Sequence, residues 1–260
     1  MIEADQPLWG RVDPAALERI VVLSPHFDDA AMGAGLLLLR HAGAAETTVV
    51  TVFGGRPPAY PAEPTEWDAL GGFRAGDDVV ALRREEDRAA MAVLGATPVW
   101  LDFPDHQYLG PAERPTPHQV ALALEKVVAE RRPTAVFAPM GLANPDHVVT
   151  HEAALMVRGT RPDISWFCYE DHGYKHLPGL LAWRVARLFR SLVWPTPAAV
   201  PVAADSASWD RKREAIWCYA SQIPPLERDH GLTERMAAAV PEQFWRLLPP
   251  PPGWEGLVDV

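Results

Sequence analysis

The chain has 260 residues, and 24 lysines and arginines stand against 34 aspartates and glutamates, a formal net charge of −10 at pH 7. Hydrophobic residues make up 48% and charged residues 22%, which is ordinary globular composition and excludes a disordered, collagen-like or coiled-coil chain. The acidic balance argues against nucleic acid and against an anionic membrane as partners, because both require basic surface. Two cysteines, Cys168 and Cys218, are too few for a disulfide framework.

We expect a cytoplasmic protein with a single domain at residues 1–260. The first residues, MIEADQPLWGRVDP, contain no basic stretch followed by an apolar run and therefore predict no signal peptide. No apolar run approaches the ~20 residues of a membrane span. Single α/β domains often reach this length. The sequence leaves the oligomeric state open, including a homo-oligomer.

Apolar β-branched runs alternate with helical patterns through the first two thirds of the chain. The predicted strands cover residues 20–25, 47–53, 98–104, 134–140 and 164–170. The predicted helices cover residues 28–42, 75–96, 117–132, 145–158 and 207–222. Strands that are apolar throughout and are separated by helices predict a mainly parallel sheet covered on both faces. The expected fold class is therefore α/β, a doubly wound, Rossmann-like, three-layer α/β/α sandwich with right-handed crossovers.

One long irregular segment, GGRPPAYPAEPTEWDALGGF at residues 54–73, interrupts this alternation after the second predicted strand. Loops of this length in compact domains are usually functional or disordered. Ligands of open α/β sheets bind at the carboxyl ends of the strands. We interpret residues from about 54 to 75 as a lid-like loop in which the ring of Trp67 is available to stack on a bound ligand. A mobile surface insertion is the alternative.

Two polar clusters follow strands whose carboxyl ends share one edge of the predicted sheet. The first strand is followed by His26, Asp28 and Asp29, and the fourth by Asn144 and His147. Two histidines and an aspartate from two loops can form a three-ligand zinc site that keeps a position for water. The remaining aspartate is then free to act as a base. The alternative for the same residues is a helix N-cap and an exposed helix face, because aspartate is favoured at helix starts.

The segment SPHFDDAAMGAG resembles the signature of the PIG-L/LmbE family of zinc-dependent N-acetyl-amino-sugar deacetylases. The commonest form of that signature reads (A/S)-H-P-D-D-E, and this chain is closer to a branch that reads SPHxDDA. Further segments similar to the family follow in the same order up to residue 222: RREEDRAA with a later LG, LDFPD, NPDH, YED and a C-terminal K…AI…YASQ. Each match is weak by itself, but the ordered set is specific.

The resemblance implies a metal site and a reaction. His26, Asp29 and His147 match the zinc ligands of the family, and Asp28 matches the general base that activates the attacking water. The implied substrate is a small-molecule amino sugar or glycoside. Hydrolysis of its 2-acylamino group, chiefly acetylamino, would release a carboxylate and the free amine. Zinc is the implied cofactor, and iron or cobalt also suits a site of this composition.

The chain departs from the family at Asn144, where the usual residue is a histidine that helps to stabilise the oxyanion or to protonate the leaving group. Asparagine can donate a hydrogen bond but cannot transfer a proton at neutral pH. We therefore expect Asn144 to retain oxyanion stabilisation and to weaken acid catalysis. Asp28, once protonated, is then available as the acid.

Three further residues join Trp67 as predicted substrate-binding residues. Arg83, on the second long helix, could reach a substrate hydroxyl or phosphate, although pairing with acidic residues of its own helix is the alternative. Asp105 and His106 follow the third strand and could line the pocket, although a role in a turn is equally compatible.

Other functions remain compatible with these residues. Asn144 is compatible with a catalytically weakened sugar-binding protein on the same scaffold. An amidase of a sugar–thiol conjugate would use the same metal chemistry on another substrate. A nucleotide-binding Rossmann protein is disfavoured, because the segment HFDDAAMGAG after the first strand lacks the GxGxxG pattern.

Overall fold

The computed structural model describes residues 12–254, in which a sheet is flanked by helices. The strands are β1 (Arg19–Ser24), β2 (Glu46–Thr51), β3 (Thr97–Trp100), β4 (Ala135–Pro139), β5 (Ser165–Tyr169), β6 (Trp194–Ala198) and β7 (Phe244–Leu248). The helices are α1 (Asp29–His41), α2 (Glu66–Leu70), α3 (Val79–Leu94), α4 (Pro117–Arg131), α5 (Pro145–Thr160), α6 (Leu180–Arg190), α7 (Ser206–Trp217), α8 (Ile223–His230) and α9 (Leu232–Ala237). None of the helices in this range is long and apolar enough to cross a membrane.

The strands lie in the order β3-β2-β1-β4-β5-β7-β6. The first five in this order are parallel, whereas β7 runs antiparallel to both β5 and β6. The predicted α/β class with a mainly parallel sheet is confirmed. Strand order reverses between β1 and β4, so the loops after these two strands leave the sheet at the switch point where open α/β sheets bind ligands.

Two apolar cores cover the sheet, because alternate residues of each strand point to opposite faces. Ile20 and Val22 pack in the core that also contains residues of α1, α3 and α7. Val21 and Leu23 pack in the core formed with α4, α5 and α6. All four side chains are buried, which explains why this strand is a continuous apolar run in the sequence.

Helix α1, which begins at the polar cluster after β1, is interrupted at Ala34 (φ −140°, ψ 17°). The carboxylate of Glu242 accepts two backbone N–H groups just beyond the interruption, at 2.7 and 3.0 Å. Lys212 donates to Glu242 at 2.7 Å and to the carbonyl of Met32, before the interruption, at 2.8 Å. This buried ion pair replaces the missing helical hydrogen bonds and fixes the first turns of α1 beneath the site.

Several elements differ from the sequence-based expectation. The segment 54–73 was predicted to be irregular, but it contains α2, whose N-cap Thr65 accepts the N–H of Asp68. The helix predicted to reach residue 222 ends at Trp217. Strand β6 was not predicted, because Pro195 and Pro197 interrupt its pattern, and it lies at the sheet edge, where prolines are tolerated.

Candidate active site

A cavity of about 420 Å³ opens at the carboxyl edge of the sheet. It is bordered by the loops after β1, β3 and β4, by α2 and by α8. Every site residue predicted from the sequence lines this cavity: His26, Asp28, Asp29, Trp67, Arg83, Asp105, His106, Asn144 and His147. The topology thus brings together residues that are more than 100 positions apart in the chain.

The loop from β1 into α1 is closed by its own hydrogen bonds. The hydroxyl of Ser24 donates to the carbonyl of His26 and accepts the N–H of Ala30 at 2.9 Å. The N–H of His26 donates to the carboxylate of Asp29 at 2.9 Å. These contacts place His26 and the two aspartates at the start of α1, facing the end of β4.

His26, Asp29 and His147 form the tightest candidate metal site, with one ligand atom from each residue within 4.8 Å of the others. Oδ2 of Asp29 lies 3.3 Å from Nδ1 of His26 and 3.2 Å from Nε2 of His147. Ligand atoms around a tetrahedral zinc with bonds of about 2.0–2.1 Å are separated by about 3.3 Å. The donor set and its spacing therefore fit a divalent metal.

Carboxylates outside this triad hold the other nitrogen of each histidine. Nδ1 of His147 is hydrogen bonded to Asp171, which is 1% exposed, and Nε2 of His26 lies 3.1 Å from Oδ2 of Asp146. Metal-binding histidines commonly have such partners, which fix the tautomer and the ring orientation. Burial lowers the pKa of His147, but Asp29 and Asp171 outweigh it and raise the pKa to about 9. The site therefore favours positive charge at this position, which a metal ion would supply.

The adjacent aspartates have opposite electrostatic environments. Burial and the charge of Asp29 raise the pKa of Asp28 to about 7. Burial acts in the same sense on Asp29, but His147 and His26 hold the pKa of Asp29 well below its ordinary value. Asp29 is therefore suited to be an ionised ligand, whereas Asp28 can take up and release a proton near neutral pH.

Asn144 has a structural role besides its position in the cavity. Its side-chain oxygen caps α5 by accepting the N–H of Asp146 at 2.8 Å. Its side-chain nitrogen lies 3.5 Å from the hydroxyl of Tyr174. The ring of Tyr174 packs edge-to-face on His147, with centroids 5.3 Å apart. Asn144 and Tyr174 thus place two hydrogen-bond donors beside the metal triad.

Arg83 pairs with the segment that was predicted to be a lid, and not with acidic residues of its own helix. It is 4% exposed and donates to Asp68 of α2 at 2.8 Å. The other oxygen of Asp68 accepts the hydroxyl of Tyr108 at 2.8 Å. Nε of Arg83 is buried and has no hydrogen-bond partner within residues 12–254. Sequence reasoning did not find Asp68, because nothing in its local pattern distinguishes it from a solvated loop residue.

Two further contacts attach α2 to the rest of the cavity wall. Nε1 of Trp67 donates to Gln222 at 2.8 Å, which fixes the orientation of the indole ring. Glu66 forms an ion pair with Arg228 of α8. The segment around α2 is therefore packed against α8.

Asp105 and His106 lie at the start of a 3-10 turn, His106–Tyr108, that follows β3. Asp105 caps this turn by accepting the N–H of Gln107 at 3.0 Å. The backbone N–H of His106 donates to Asp146 at 3.0 Å, and Nδ1 of its ring lies 3.0 Å from the same oxygen. Asp105 and Asp146 raise the pKa of His106 to about 9. Both predicted roles, pocket and turn, are thus compatible with their position.

Comparison with known proteins agrees with this geometry. Residues 21–157 match the model of the PIG-L family, described as GlcNAc-PI de-N-acetylase. No curated protein sequence matches the chain.

Several solved structures resemble the fold. The A40926 pseudoaglycone deacetylase Dbv21 is 26% identical with a TM-score of 0.71, over 90% of this chain and 98% of that one. A deacetylase of the teicoplanin biosynthetic pathway is 26% identical with a TM-score of 0.70, over 90% and 100% of the two chains. The N,N'-diacetylchitobiose deacetylase from Pyrococcus horikoshii, at 20% identity and a TM-score of 0.59 over 89% and 84%, shares the fold. Because the family match spans more than half of the chain, this protein belongs to the PIG-L family of de-N-acetylases.

Proposed function

We propose that this protein is a zinc-dependent hydrolase that removes the acyl group, chiefly acetyl, from the 2-amino group of an amino sugar or glycoside. The observation that carries the proposal is the triad of His26, Asp29 and His147 beside the buried Asp28 in one cavity. The amide-hydrolase chemistry is that of the family, and two deacetylases that are 26% identical support it.

The residues divide into ligands and a proton carrier. Nδ1 of His26, Oδ2 of Asp29 and Nε2 of His147 would hold the metal. When bound, zinc supplies a Lewis acid that acidifies water and stabilises negative charge on the amide oxygen. Asp146 and Asp171 orient the two imidazoles from outside the triad.

Asp28 moves the proton. As a carboxylate it accepts a proton from the attacking water, whose oxygen bonds to the acyl carbon. It then delivers that proton to the sugar nitrogen as the carbon–nitrogen bond breaks, which leaves a carboxylic acid and an amine. Burial is the largest cause of the raised pKa of Asp28, and it makes this carboxyl take up a proton more readily than an exposed aspartate does. The donors of Asn144 and Tyr174 can hydrogen bond to the acyl oxygen.

The rest of the cavity suits a sugar. Trp67 presents an aromatic surface whose orientation is fixed by Gln222. Arg83, Asp105 and His106 supply polar groups that can bind hydroxyls. A volume of about 420 Å³ lies within the usual range for small-molecule sites.

The proposal is tested by comparing Asp28→Asn with His147→Ala and with the exposed control His118→Ala. Metal content is measured by mass spectrometry, and amine release is measured on N-acetylated amino sugars. We expect Asp28→Asn to keep the metal and to lose at least about 10²-fold in rate. His147→Ala should lose both, and His118→Ala should lose neither.

Full activity of Asp28→Asn would refute the assignment of the base. A wild-type protein that binds no metal after zinc is added would refute the hydrolase proposal. Saturable sugar binding without amine release would support a sugar-binding protein instead.

A further inference from the structure

A second groove, of about 460 Å³, lies between α5 and α6. Among residues 12–254, it shares no lining residue with the active-site cavity. Three arginines and one glutamate line it: Arg158 and Glu152 come from α5, and Arg184 and Arg187 come from α6. The described lining therefore carries a formal surplus of two positive charges, in a chain whose net charge is −10. Such a concentration of guanidinium groups favours an anionic ligand.

Arg184 is buried in the wall of this groove without a carboxylate partner. It is 3% exposed, and its Nη2 donates to the carbonyl of Gly141. Glu152, the acidic residue of the described lining, lies 3.9 Å from Arg187 and forms no ion pair with Arg184. Within residues 12–254, Nε of Arg184 has no hydrogen-bond partner. Because a buried guanidinium without a counter-charge is costly, an anion in the groove would stabilise this side chain.

The other two arginines have donors available to a ligand. Arg158 donates from Nε and Nη2 to the carbonyl of Leu247 at 3.3 and 3.2 Å, so Nη1 is available. Arg187 is half-exposed, and its long ion pair is screened by solvent. The ring of Trp183 holds Arg187 and Arg184 near each other, with guanidinium carbons 5.0 and 5.4 Å from the ring centroid. The groove thus presents several guanidinium groups to one ligand.

We propose that this groove binds a phosphate monoester. Planar guanidinium groups hold phosphate oxygens through paired, charge-assisted hydrogen bonds. A phosphate monoester carries about −1.5 to −2 charges at pH 7, which matches the surplus of two positive charges in the lining, whereas a carboxylate carries only one negative charge. An occupant of this groove does not touch the metal triad, so the proposal does not rest on the hydrolase function.

The apolar part of the lining suits the organic part of such a ligand. Leu155 and Met156 of α5 and Leu192, just after α6, line the same groove as the arginines. Met156 is 45% exposed, so an apolar group lying on it would remove apolar surface from water. The volume of the groove is in the usual range for small-molecule sites and exceeds what a phosphate group alone requires.

The experiment measures binding of phenyl phosphate by isothermal titration calorimetry at constant ionic strength. Arg187→Gln removes one positive charge from the groove at a half-exposed position. Its matched control is Arg190→Gln, which removes the same charge from an exposed position of α6 outside the groove. We expect the wild type and Arg190→Gln to bind one phenyl phosphate per chain. The dissociation constant should rise at least about tenfold in Arg187→Gln.

A second pair of variants places a negative charge in the groove without touching an arginine. Met156→Glu should also raise the dissociation constant at least about tenfold, because its carboxylate repels the phosphate and pairs with the arginines. Met156→Gln has nearly the same shape and no charge, and it should bind much more tightly than Met156→Glu. Benzoate, which carries a single negative charge on the same ring, should bind the wild type at least about tenfold more weakly than phenyl phosphate.

His147→Ala separates this groove from the metal site, because phosphates also bind metal ions, and this variant should retain the binding. A wild type without saturable binding overturns the proposal, as does an equal loss in Arg187→Gln and Arg190→Gln. Loss in His147→Ala with retention in Arg187→Gln would place the ligand in the active site and also overturn it. Equal affinity for benzoate would refute the assignment to phosphate. Self-association of the wild type that Met156→Glu abolishes, without phenyl phosphate binding, would assign the groove to a second copy of the chain instead.

Discussion

Replacing Asp171 with asparagine tests whether His147 is a metal ligand held from behind. Asp171 follows β5 and is not among the residues that line the cavity. One of its oxygens is hydrogen bonded to Nδ1 of His147. Its other oxygen accepts the N–H of Leu142 at 3.3 Å, in the loop that leads to α5. Asparagine is nearly isosteric, so it keeps the packing and one acceptor but removes the charge that makes the imidazole a stronger ligand.

The magnitude follows from the burial of this contact. Because Asp171 is 1% exposed, solvent screens its interaction with His147 only weakly. Loss of such a partner typically lowers metal affinity about 10–100-fold, or about 1.4–2.7 kcal/mol. We therefore expect the dissociation constant of zinc in Asp171→Asn to rise by this factor. Competition with a chromophoric chelator measures it directly, without any assay of activity.

The control is Asp163→Asn, which removes a carboxylate from an exposed turn that pairs with Arg161. Its zinc affinity should equal that of the wild type. An unchanged affinity in Asp171→Asn would refute the reasoning, since it would mean that His147 does not bind the metal through Nε2. An equal loss in both variants would show that only the overall charge matters.

Two further predictions concern stability. Burial and Arg184 lower the pKa of His151 from 6.5 to about 3, so only the unfolded state binds this proton at intermediate pH. His151 should therefore contribute a fall of about 2 kcal/mol to the free energy of unfolding between pH 7 and pH 5. Urea unfolding of metal-free protein should show a fall smaller by this amount in His151→Asn, but not in the exposed His118→Asn. In Gly33→Ala the new Cβ would lie 2.4 Å from the ring of Tyr169 and should destabilise by about 1–3 kcal/mol. Gly159→Ala meets nothing within 4 Å and should gain up to about 1 kcal/mol, so equal thermal stability of the two alanine variants would contradict the packing argument.

The sequence predicted those parts of the fold that have a characteristic hydrophobic pattern within a single segment. Val21 and Leu23 belong to an apolar run that only a strand buried on both faces explains. The ends of such strands locate the carboxyl edge of the sheet, and the sequence therefore predicts that His26 and His147 lie in one site. The family resemblance supplied the separate roles proposed for Asp28 and Asp29, which local chemistry alone left open.

The parts that could not be predicted depend on contacts between distant segments. Asp68 lies in a segment rich in proline and glycine, and its importance comes only from its contacts with Arg83 and Tyr108. Nothing in the local sequence distinguishes Glu242 from other acidic residues. Its role comes from the fold, which places it at the interruption in α1, where it accepts a hydrogen bond from Lys212. No periodicity marks such residues, because the partner that gives each its role is set by tertiary structure.

Asparagine at position 144, where the family usually has histidine, affects proton transfer at the site, because an amide does not transfer a proton at neutral pH. It does not change the proposed metal ligands. Asparagine is among the best helix N-cap residues, and here it fixes the first turn of α5, three residues before His147. Histidine, the usual residue of the family at this position, is not a favoured N-cap. Asn144 therefore stabilises the start of α5 and also provides a neutral hydrogen-bond donor near Tyr174. In the proposed mechanism proton transfer therefore falls to Asp28, because burial and the charge of Asp29 raise the pKa of its carboxyl to about 7. In the proposed mechanism α5 thus contributes one metal ligand, His147, whereas the start of α1 contributes the other two ligands and the proton carrier Asp28.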